Sequence, residues 1–346
     1  MPGMGERAYV YAKASGIMGK SYIGKRIRGL EKASRLSELD RMVFPLSSRD
    51  LPGRELLRDL EKRITGRAID SIIAILNGFS RIPEFFSLLV RSYEYADLKN
   101  AIIAFMEGEK TSPPFADLGI YQRVRFNAWP DLKAMLNGTE FEFLFDKKIF
   151  DIDKGDRISL ETLLDRQYYS LLWKSLYSLP AKDRVASEKI LSDEISLRNS
   201  GWALRLRTYY GMSPDNITPH LVDIYKKTKG GRKPGKISLA DEAIRCLEYP
   251  LDNYNAFSSW HWKEFLNNPH GESGWKADPR YFQNAASRYL YGLARRYFRR
   301  NPFSLDTVFC FIKLKQFEEN ILTSSAEGLG IGLSSRETFS LLGVES

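Results

Sequence analysis

The amino-acid sequence predicts an all-α protein, and three observations lead to this fold class. Apolar residues recur at three- and four-residue steps through several long stretches, which is the period of an amphipathic helix. Prolines such as Pro45, Pro83 and Pro180 separate these stretches from one another. Alternating patterns typical of strands are scarce, and 7–12 and 140–145 are the only clear examples. Helices therefore dominate the predicted structure.

The first long helix is predicted over 54–76, where Leu56, Leu60, Ile64 and Ile72 share one face. The same period returns in LETLLDRQYYSLLWKSLYSL, residues 160–179, and in RYLYGLARRYF, residues 288–298. Each stretch has the length of an ordinary globular helix. We expect all three to bury an apolar stripe.

The last long helix is predicted in PFSLDTVFCFIKLKQFEENI, residues 302–321. Ser304 can cap its start, and the negative charge of Asp306 suits the positive end of the helix dipole. Its first half is predicted to be buried because apolar residues cover most of the circumference: Leu305, Val308, Phe309, Phe311, Ile312 and Leu314. Its second half is predicted to have a wet face on which Glu318 and Glu319 are solvated. The two carboxylates point about 100° apart on a helix, so we expect no shared site.

Short internal similarities indicate a repeat. EYADLKN at 94–100 resembles DEISLRN at 193–199, since each has an acid, then Leu, a base and Asn. LSELDRMV at 36–43 resembles WPDLKAML at 129–136. A weaker third copy combines WHWKEFLN at 260–267 with KQFEEN at 315–320. Internal repeats indicate modules of one plan.

We therefore predict three helical modules: 1–120 with the N-terminal helix, 121–225, and 226–346 with a basic insert. The acid-to-Asn motifs supply candidate partner-contact residues, namely Glu94, Asn100, Asp193, Asn199 and Asn320. General similarity among helical sequences is the alternative explanation. Superposing the modules distinguishes the two, because a true repeat places the three asparagines at equivalent positions.

Composition limits the class of protein. The chain has 346 residues, a net charge of +9 and 43% apolar residues, which is ordinary for a globular protein and excludes wholesale disorder. Its two cysteines form no paired motif, so a reducing cytoplasm is expected. The N-terminus lacks the apolar run of a signal peptide, and the most apolar stretches, 71–76 and 100–106, are too short to span a bilayer. We expect a soluble protein with acidic partners.

One stretch resembles a nucleotide-binding motif. ASGIMGKS at 14–21 fits a relaxed P-loop, in which Gly19, Lys20 and Ser21 would hold phosphates and Mg²⁺ at the start of a helix. Against this, a P-loop fold needs several more strands in alternation with helices. The histidines stand without a cluster at metal-ligand spacing, and no nucleophile motif is present. We expect no cofactor, metal or catalytic residue, and a P-loop enzyme remains the alternative.

Basic stretches suggest a second alternative. KKTKGGRKPGK at 226–236 is predicted to be a flexible loop whose charges are Lys226, Lys227, Lys229, Arg232, Lys233 and Lys236. A second cluster, Arg295, Arg296, Arg299 and Arg300, lies on a predicted helix. These charges could contact nucleic-acid phosphates, although no nucleic-acid-binding motif accompanies them. A solvated helix face is the plainer interpretation of the arginines.

The closing segment 302–342 resembles the central-stalk socket subunit of rotary V/A-type ATPases, which is designated C in the V/A-type complexes and d in the eukaryotic ones. The resemblance rests on a helix that begins at Pro302 and Phe303 and on a later glycine-containing link followed by a helix with Glu337. The shared residues of the first helix are Lys315, Glu318, Asn320 and Ile321. The N-terminal YVYAKASGIMGKSYI resembles the family's opening helix, and the acid-to-Asn motifs resemble its internal ones.

The resemblance implies a non-catalytic central-stalk subunit for ion translocation, built as three pseudo-threefold-related helical modules that form a funnel-shaped socket. Its implied partners are the rotor-shaft subunits and the membrane proteolipid ring, with no nucleic acid and no small-molecule substrate. It would lie peripherally on the cytoplasmic side of the membrane. We expect Lys315, Glu318, Glu319 and Asn320 to reach the polar inner wall of the socket, with hydrogen bonds inside the module as the alternative. The P-loop pattern would then be a coincidence within a helix.

Overall fold

Helices account for 68% of the structure and strands for 2%, which confirms the all-α class. The computed structural model of the chain describes residues 2–146, 157–227, 235–268 and 274–342. Neither of the two strand-like sequence patterns forms a strand. Residues 7–12 fall inside the first helix, and 140–145 form a turn that leads into a short helix.

The described α-helices are, in chain order, α1 (Met4–Met18), α2 (Leu36–Val43), α3 (Gly53–Leu76), α4 (Glu84–Val90), α5 (Ser92–Met106), α6 (Leu132–Leu136), α7 (Phe143–Asp146), α8 (Arg157–Leu176), α9 (Val185–Tyr210), α10 (Pro214–Ile217), α11 (Asp241–Glu248), α12 (Pro279–Arg300), α13 (Asp306–Gly330) and α14 (Ser335–Leu342). A 3₁₀ helix spans Gly24–Lys32. The described strands, β1 (Tyr225–Lys227) and β2 (Lys236–Ser238), pair antiparallel, with Tyr225 opposite Ser238.

The chain divides into two compact units. Unit 1 comprises Met1–Val90, Pro180–Ser187 and Tyr291–Ser346, and unit 2 comprises Arg91–Leu179 and Glu188–Leu290. The finer division into three modules at 1–120, 121–225 and 226–346 stays a prediction, as does their funnel arrangement.

Unit 1 is built around α13, which packs along α3 and also contacts α1, α2 and α14. Its apolar core includes Leu39, Leu60, Ile64 and Ile321, all buried. The first half of α13 is buried, as predicted from its apolar circumference. Phe309 is fully covered, and its ring stacks on that of Phe85 with centroids 5.6 Å apart. Apolar burial on this scale fixes the position of α13.

The start of α13 uses its polar residues differently from the prediction. Ser304 Oγ accepts a hydrogen bond from the Asp306 N–H at 3.1 Å, although the N-cap position is Leu305 and not Ser304. The carboxylate of Asp306 instead accepts from the N–H groups of Ala186 and Ser187, at 2.9 and 2.8 Å, in the first turn of α9. Asp306 therefore caps a neighbouring helix as well as beginning its own.

Unit 2 has an aromatic core. Trp260, Trp262, Phe257 and Phe282 are buried together beside the apolar side of α9. The Trp260 and Phe282 rings stack with centroids 5.5 Å apart, and the Trp262 indole N–H donates to Ser196 Oγ at 3.0 Å. Buried tryptophans are stable in a core when their polar edge finds such a partner.

Candidate functional site

The second half of α13 holds a buried charge pair. Lys315 and Glu318 are 3% and 2% exposed, and the Lys315 ammonium contacts Glu318 Oε2 directly. The spacing of three residues places both side chains on one face of the helix. Burial lowers the pKa of Lys315, and the Glu318 carboxylate beside it opposes that shift.

The segment that follows α1 covers this pair. Glu318 Oε1 accepts a hydrogen bond from the Tyr22 N–H at 2.7 Å, and Lys315 donates to Ser21 Oγ at 3.3 Å. Arg67 of α3 lies 3.6 Å from the same Glu318 oxygen. The expectation that Glu318 is solvated is therefore wrong. A carboxylate can be buried when a cation and a backbone N–H satisfy it, and here the N–H comes from the far end of the chain.

The next two residues of α13 have different surroundings. Glu319 is half-buried, and its Oε1 accepts from the Thr65 hydroxyl of α3 at 2.7 Å. Asn320 is exposed. Glu318 and Glu319 thus have different hydrogen-bond partners, although both contact α3, Glu318 through Arg67 and Glu319 through Thr65. Asn320 is the member of the predicted α13 group that presents its side chain most fully to solvent.

Glu94 on α5 has surroundings of the same kind. It is fully buried, and Arg91, three residues earlier, lies 2.7 Å from its Oε2. Its other oxygen accepts from the N–H groups of Arg123 and Val124, the second at 2.7 Å. Burial opposes ionisation of Arg91, but the carboxylates of Glu94 and Glu140 raise its pKa overall. This acid joins α5 to a distant loop within unit 2.

Asp193 on α9 is another buried acid. Lys189, four residues earlier, lies 2.7 Å from one carboxylate oxygen, and the Tyr289 hydroxyl of α12 donates to it at 2.8 Å. Burial opposes the charge of Lys189, and its hydrogen bond to Asp193 raises the pKa of Lys189 overall. Glu94, Asp193 and Glu318 therefore share one arrangement, in which a base one turn earlier pairs with an acid that binds another segment. We call these three places the acid junctions.

The asparagines of the repeated motif differ more than the acids. Asn199 is buried, donates to the carbonyls of Val222 and Leu239 at 2.9 and 3.2 Å, and accepts from the Val222 N–H at 2.8 Å. Asn100 and Asn320 are exposed. Their equivalence between modules stays a prediction. The sequence signal that marks the acid junctions is instead the base one turn before each acid, at Arg91, Lys189 and Lys315.

The P-loop-like stretch has the wrong geometry for a phosphate site. Residues 14–18 form the last turn of α1, and the Gly19 N–H donates back to the Ser15 carbonyl at 2.9 Å. Ser21 is buried, and its hydroxyl donates to the Ile17 carbonyl at 3.2 Å. A P-loop places its motif at the N-terminal end of a helix, whereas this one lies at the C-terminal end, where carbonyls gather. Among the described residues, no group of three or more His, Cys, Asp or Glu could hold a metal.

The basic insert is only partly described. Lys226 and Lys227 lie in β1 and Lys236 in β2, so short strands occupy both ends of the predicted loop. The Lys226 ammonium lies 3.9 Å from a Glu188 carboxylate oxygen. The other predicted charges, Lys229, Arg232 and Lys233, lie outside the described residues.

Comparisons with known proteins agree with the helical architecture. A sequence profile of the ATP synthase (C/AC39) subunit family matches residues 49–338, a range that contains Glu94, Asp193 and Glu318. An uncharacterized protein of Treponema pallidum (strain Nichols) is 28% identical over 337 residues, which cover 94% of this chain and 92% of that protein. No helix within the described ranges is both long and apolar enough to cross a bilayer.

Proposed function

The chain belongs to the ATP synthase (C/AC39) subunit family, and we propose that it is the non-catalytic central-stalk subunit that couples the rotor shaft to the membrane proteolipid ring. The observation that carries this proposal is the family match, which extends over 49–338. In this role the chain transmits torque, while ATP chemistry and ion translocation take place in other subunits. It lies on the cytoplasmic side of the membrane and is held there by its partners.

Three helical modules arranged as a funnel-shaped socket would suit this role. The acid junctions support it because they fix long helices to other segments through directional, charge-assisted hydrogen bonds. Glu318 fixes α13 to Tyr22, and Glu94 fixes α5 to residues 123–124. A subunit under torsional load needs helices that keep their register. Apolar packing alone is less directional.

The residues that contact the shaft are then those that α13 and α5 leave accessible. Asn320 and Asn100 are exposed, and Glu319 is half-buried. Lys315 and Glu318 act indirectly in this proposal, because they hold the helix that presents Asn320. A polar, hydrated wall suits a contact that must assemble and release.

Capture of purified rotor-shaft subunits by the full chain tests the proposal. We expect the chain to bind them, and Asn320→Arg to weaken binding without changing the melting temperature. Glu327→Arg, at an exposed position further along α13, is the control; it adds more positive charge than Asn320→Arg and should still bind like the native chain. A native chain that captures no central-stalk subunit would contradict the proposed function. Normal binding by Asn320→Arg would contradict only the placement of Asn320.

A further inference from the structure

Positive charge is concentrated in unit 1. Its segments contain 25 Lys and Arg against 17 Asp and Glu, a net charge of +8 out of +9 for the whole chain. Unit 2 is close to neutral even though it contains the basic insert. A charge excess confined to one unit indicates a surface that attracts an acidic partner.

Two basic segments that are far apart in sequence meet in unit 1. Gly24, which begins the 3₁₀ helix with φ +56°, donates its N–H to the Tyr291 hydroxyl of α12 at 2.7 Å. The Arg295 guanidinium lies so close to Gly24 that a Cβ there would be 3.4 Å from it. We use the name basic face for the exposed cations of these two segments taken together, which are Lys20, Lys25, Arg26, Arg28, Arg295, Arg296, Arg299 and Arg300.

The eight side chains of the basic face are exposed. Within the described part of the chain, no carboxylate lies within ion-pair distance of any of them. The salt bridges of unit 1 instead involve other cations, such as Arg7, Arg63 and Arg67. The charges of the basic face are therefore available to a partner, whereas structural arginines elsewhere in unit 1 are engaged.

The basic face rests on a fixed support. The buried Lys315–Glu318 pair binds Ser21 and Tyr22, which lie between Lys20 and Gly24 in the sequence. The Tyr291 ring stacks on Phe317 of α13 with centroids 4.1 Å apart. Backbone and aromatic contacts thus hold both basic segments against α13. A surface organised in advance loses less entropy when it binds.

The chemistry of the face favours a protein partner. Six of its eight cations are arginines, whose planar guanidinium groups pair with carboxylates in a bidentate manner. Surfaces that insert into membranes combine such charges with exposed large apolar residues. Neither 19–32 nor 291–300 contributes an exposed large apolar side chain.

We propose that the basic face binds a carboxylate-rich segment of another central-stalk subunit. The proposal rests on the proposed function, since it names the chemistry of one contact in that assembly. The partner segment needs several Asp or Glu side chains spaced along one surface. Because exposed charges make the contact, it weakens as salt is added.

The test compares the full-length native chain with two triple charge reversals in binding to purified rotor-shaft subunits. The face variant is Lys25→Glu, Arg26→Glu and Arg299→Glu. The control carries the same change of charge at exposed positions elsewhere in unit 1: Arg54→Glu, Arg58→Glu and Arg81→Glu. We expect the face variant to bind at least roughly tenfold more weakly than the native chain and the control to stay within about twofold. The corresponding Lys25→Gln, Arg26→Gln and Arg299→Gln variant should fall between them, which keeps the test valid if the reversal impairs folding.

Each outcome separates the two proposals. If the native chain binds the shaft and the face and control variants bind equally well, the basic face is not the contact, while the proposed function stands. If the native chain does not bind the shaft at all, the proposed function fails first. Vesicles containing phosphatidylglycerol provide the other arm. If the face variant no longer binds these vesicles but still binds the rotor-shaft subunits like the native chain, the proposal is overturned in favour of a lipid contact.

Discussion

Removing one member of the buried Lys315–Glu318 pair should destabilise the chain unequally, depending on which member is removed. In Lys315→Met, Glu318 keeps the Tyr22 N–H at 2.7 Å and the Arg67 guanidinium at 3.6 Å, so its charge stays compensated. In Glu318→Gln, the ammonium of Lys315 keeps the Ser21 hydroxyl at 3.3 Å but loses its carboxylate.

The magnitude follows from what each variant leaves unpaired. A buried charge stripped of its partner costs about 3–5 kcal/mol, and we expect Glu318→Gln to fall in this range. We expect Lys315→Met to cost about 1–3 kcal/mol, since it removes a hydrogen bond to a charged group without leaving that charge alone. Glu327→Gln, at an exposed position on the same helix, should change the unfolding free energy by less than about 0.5 kcal/mol.

The dependence on pH adds an independent check on Glu318→Gln. Burial already lowers the pKa of Lys315 below its ordinary 10.5, and loss of the carboxylate lowers it further. Between the folded and unfolded pKa the unfolded chain binds more protons, so stability rises with pH in that window. The defect of Glu318→Gln should therefore shrink between neutral pH and pH 10.

Urea denaturation at pH 7 and at pH 9.5, followed by circular dichroism, measures both effects. A larger loss for Lys315→Met than for Glu318→Gln would refute the reasoning. A defect in Glu318→Gln that grows as the pH rises would refute it equally.

Three further predictions concern other parts of the chain. Phe309→Ala should lower the unfolding free energy by about 3–5 kcal/mol in urea denaturation, because it empties a fully buried site against Phe85. Asn199→Ala should cost about 2–4 kcal/mol in the same assay, because it strips partners from buried backbone groups, whereas the exposed Asn100→Ala should cost almost nothing. Burial raises the pKa of Asp97 from 3.8 to about 6, so the stability of the native chain falls as the pH rises through that window. Asp97→Asn can still accept from the Ala116 N–H. It should therefore raise the unfolding free energy by about 1–3 kcal/mol at pH 7 and leave it unchanged at pH 4.

The long helices could be predicted from sequence because their signal is local. Apolar residues at three- and four-residue steps place α3, α8 and the first half of α13 correctly, since residues on one helix face are near neighbours in sequence. Part of the second half of α13 is buried where its polar residues predict a solvated face. Lys315 and Glu318 look like surface residues because the groups that satisfy them, in residues 21–22, lie almost at the other end of the chain.

Whether ASGIMGKS can bind phosphate depends less on its residue types than on which end of a helix it occupies. ASGIMGKS has the residue types of a phosphate loop, but a phosphate site depends on free N–H groups, and those occur where a helix begins. At the end of α1 the N–H groups of Gly19 and Lys20 are already bonded to carbonyls of the preceding turn. The arginine cluster of α12 was predicted from the sequence, whereas the contact of Gly24 with Tyr291 and Arg295 is what brings the basic residues near Gly24 to it.

The three acid junctions explain why burying charge is useful in a subunit of this kind. Replacing a whole buried ion pair by apolar residues often leaves stability unchanged, so stability alone does not account for Glu94, Asp193 and Glu318. What apolar packing cannot supply is direction, because an apolar helix can slide or rotate against its neighbour at modest cost. A carboxylate that accepts from one particular N–H or hydroxyl tolerates neither movement. In the coupling role proposed above, a helix that slips by one turn would move every residue that it presents to the shaft. Register therefore matters there as much as the free energy of folding.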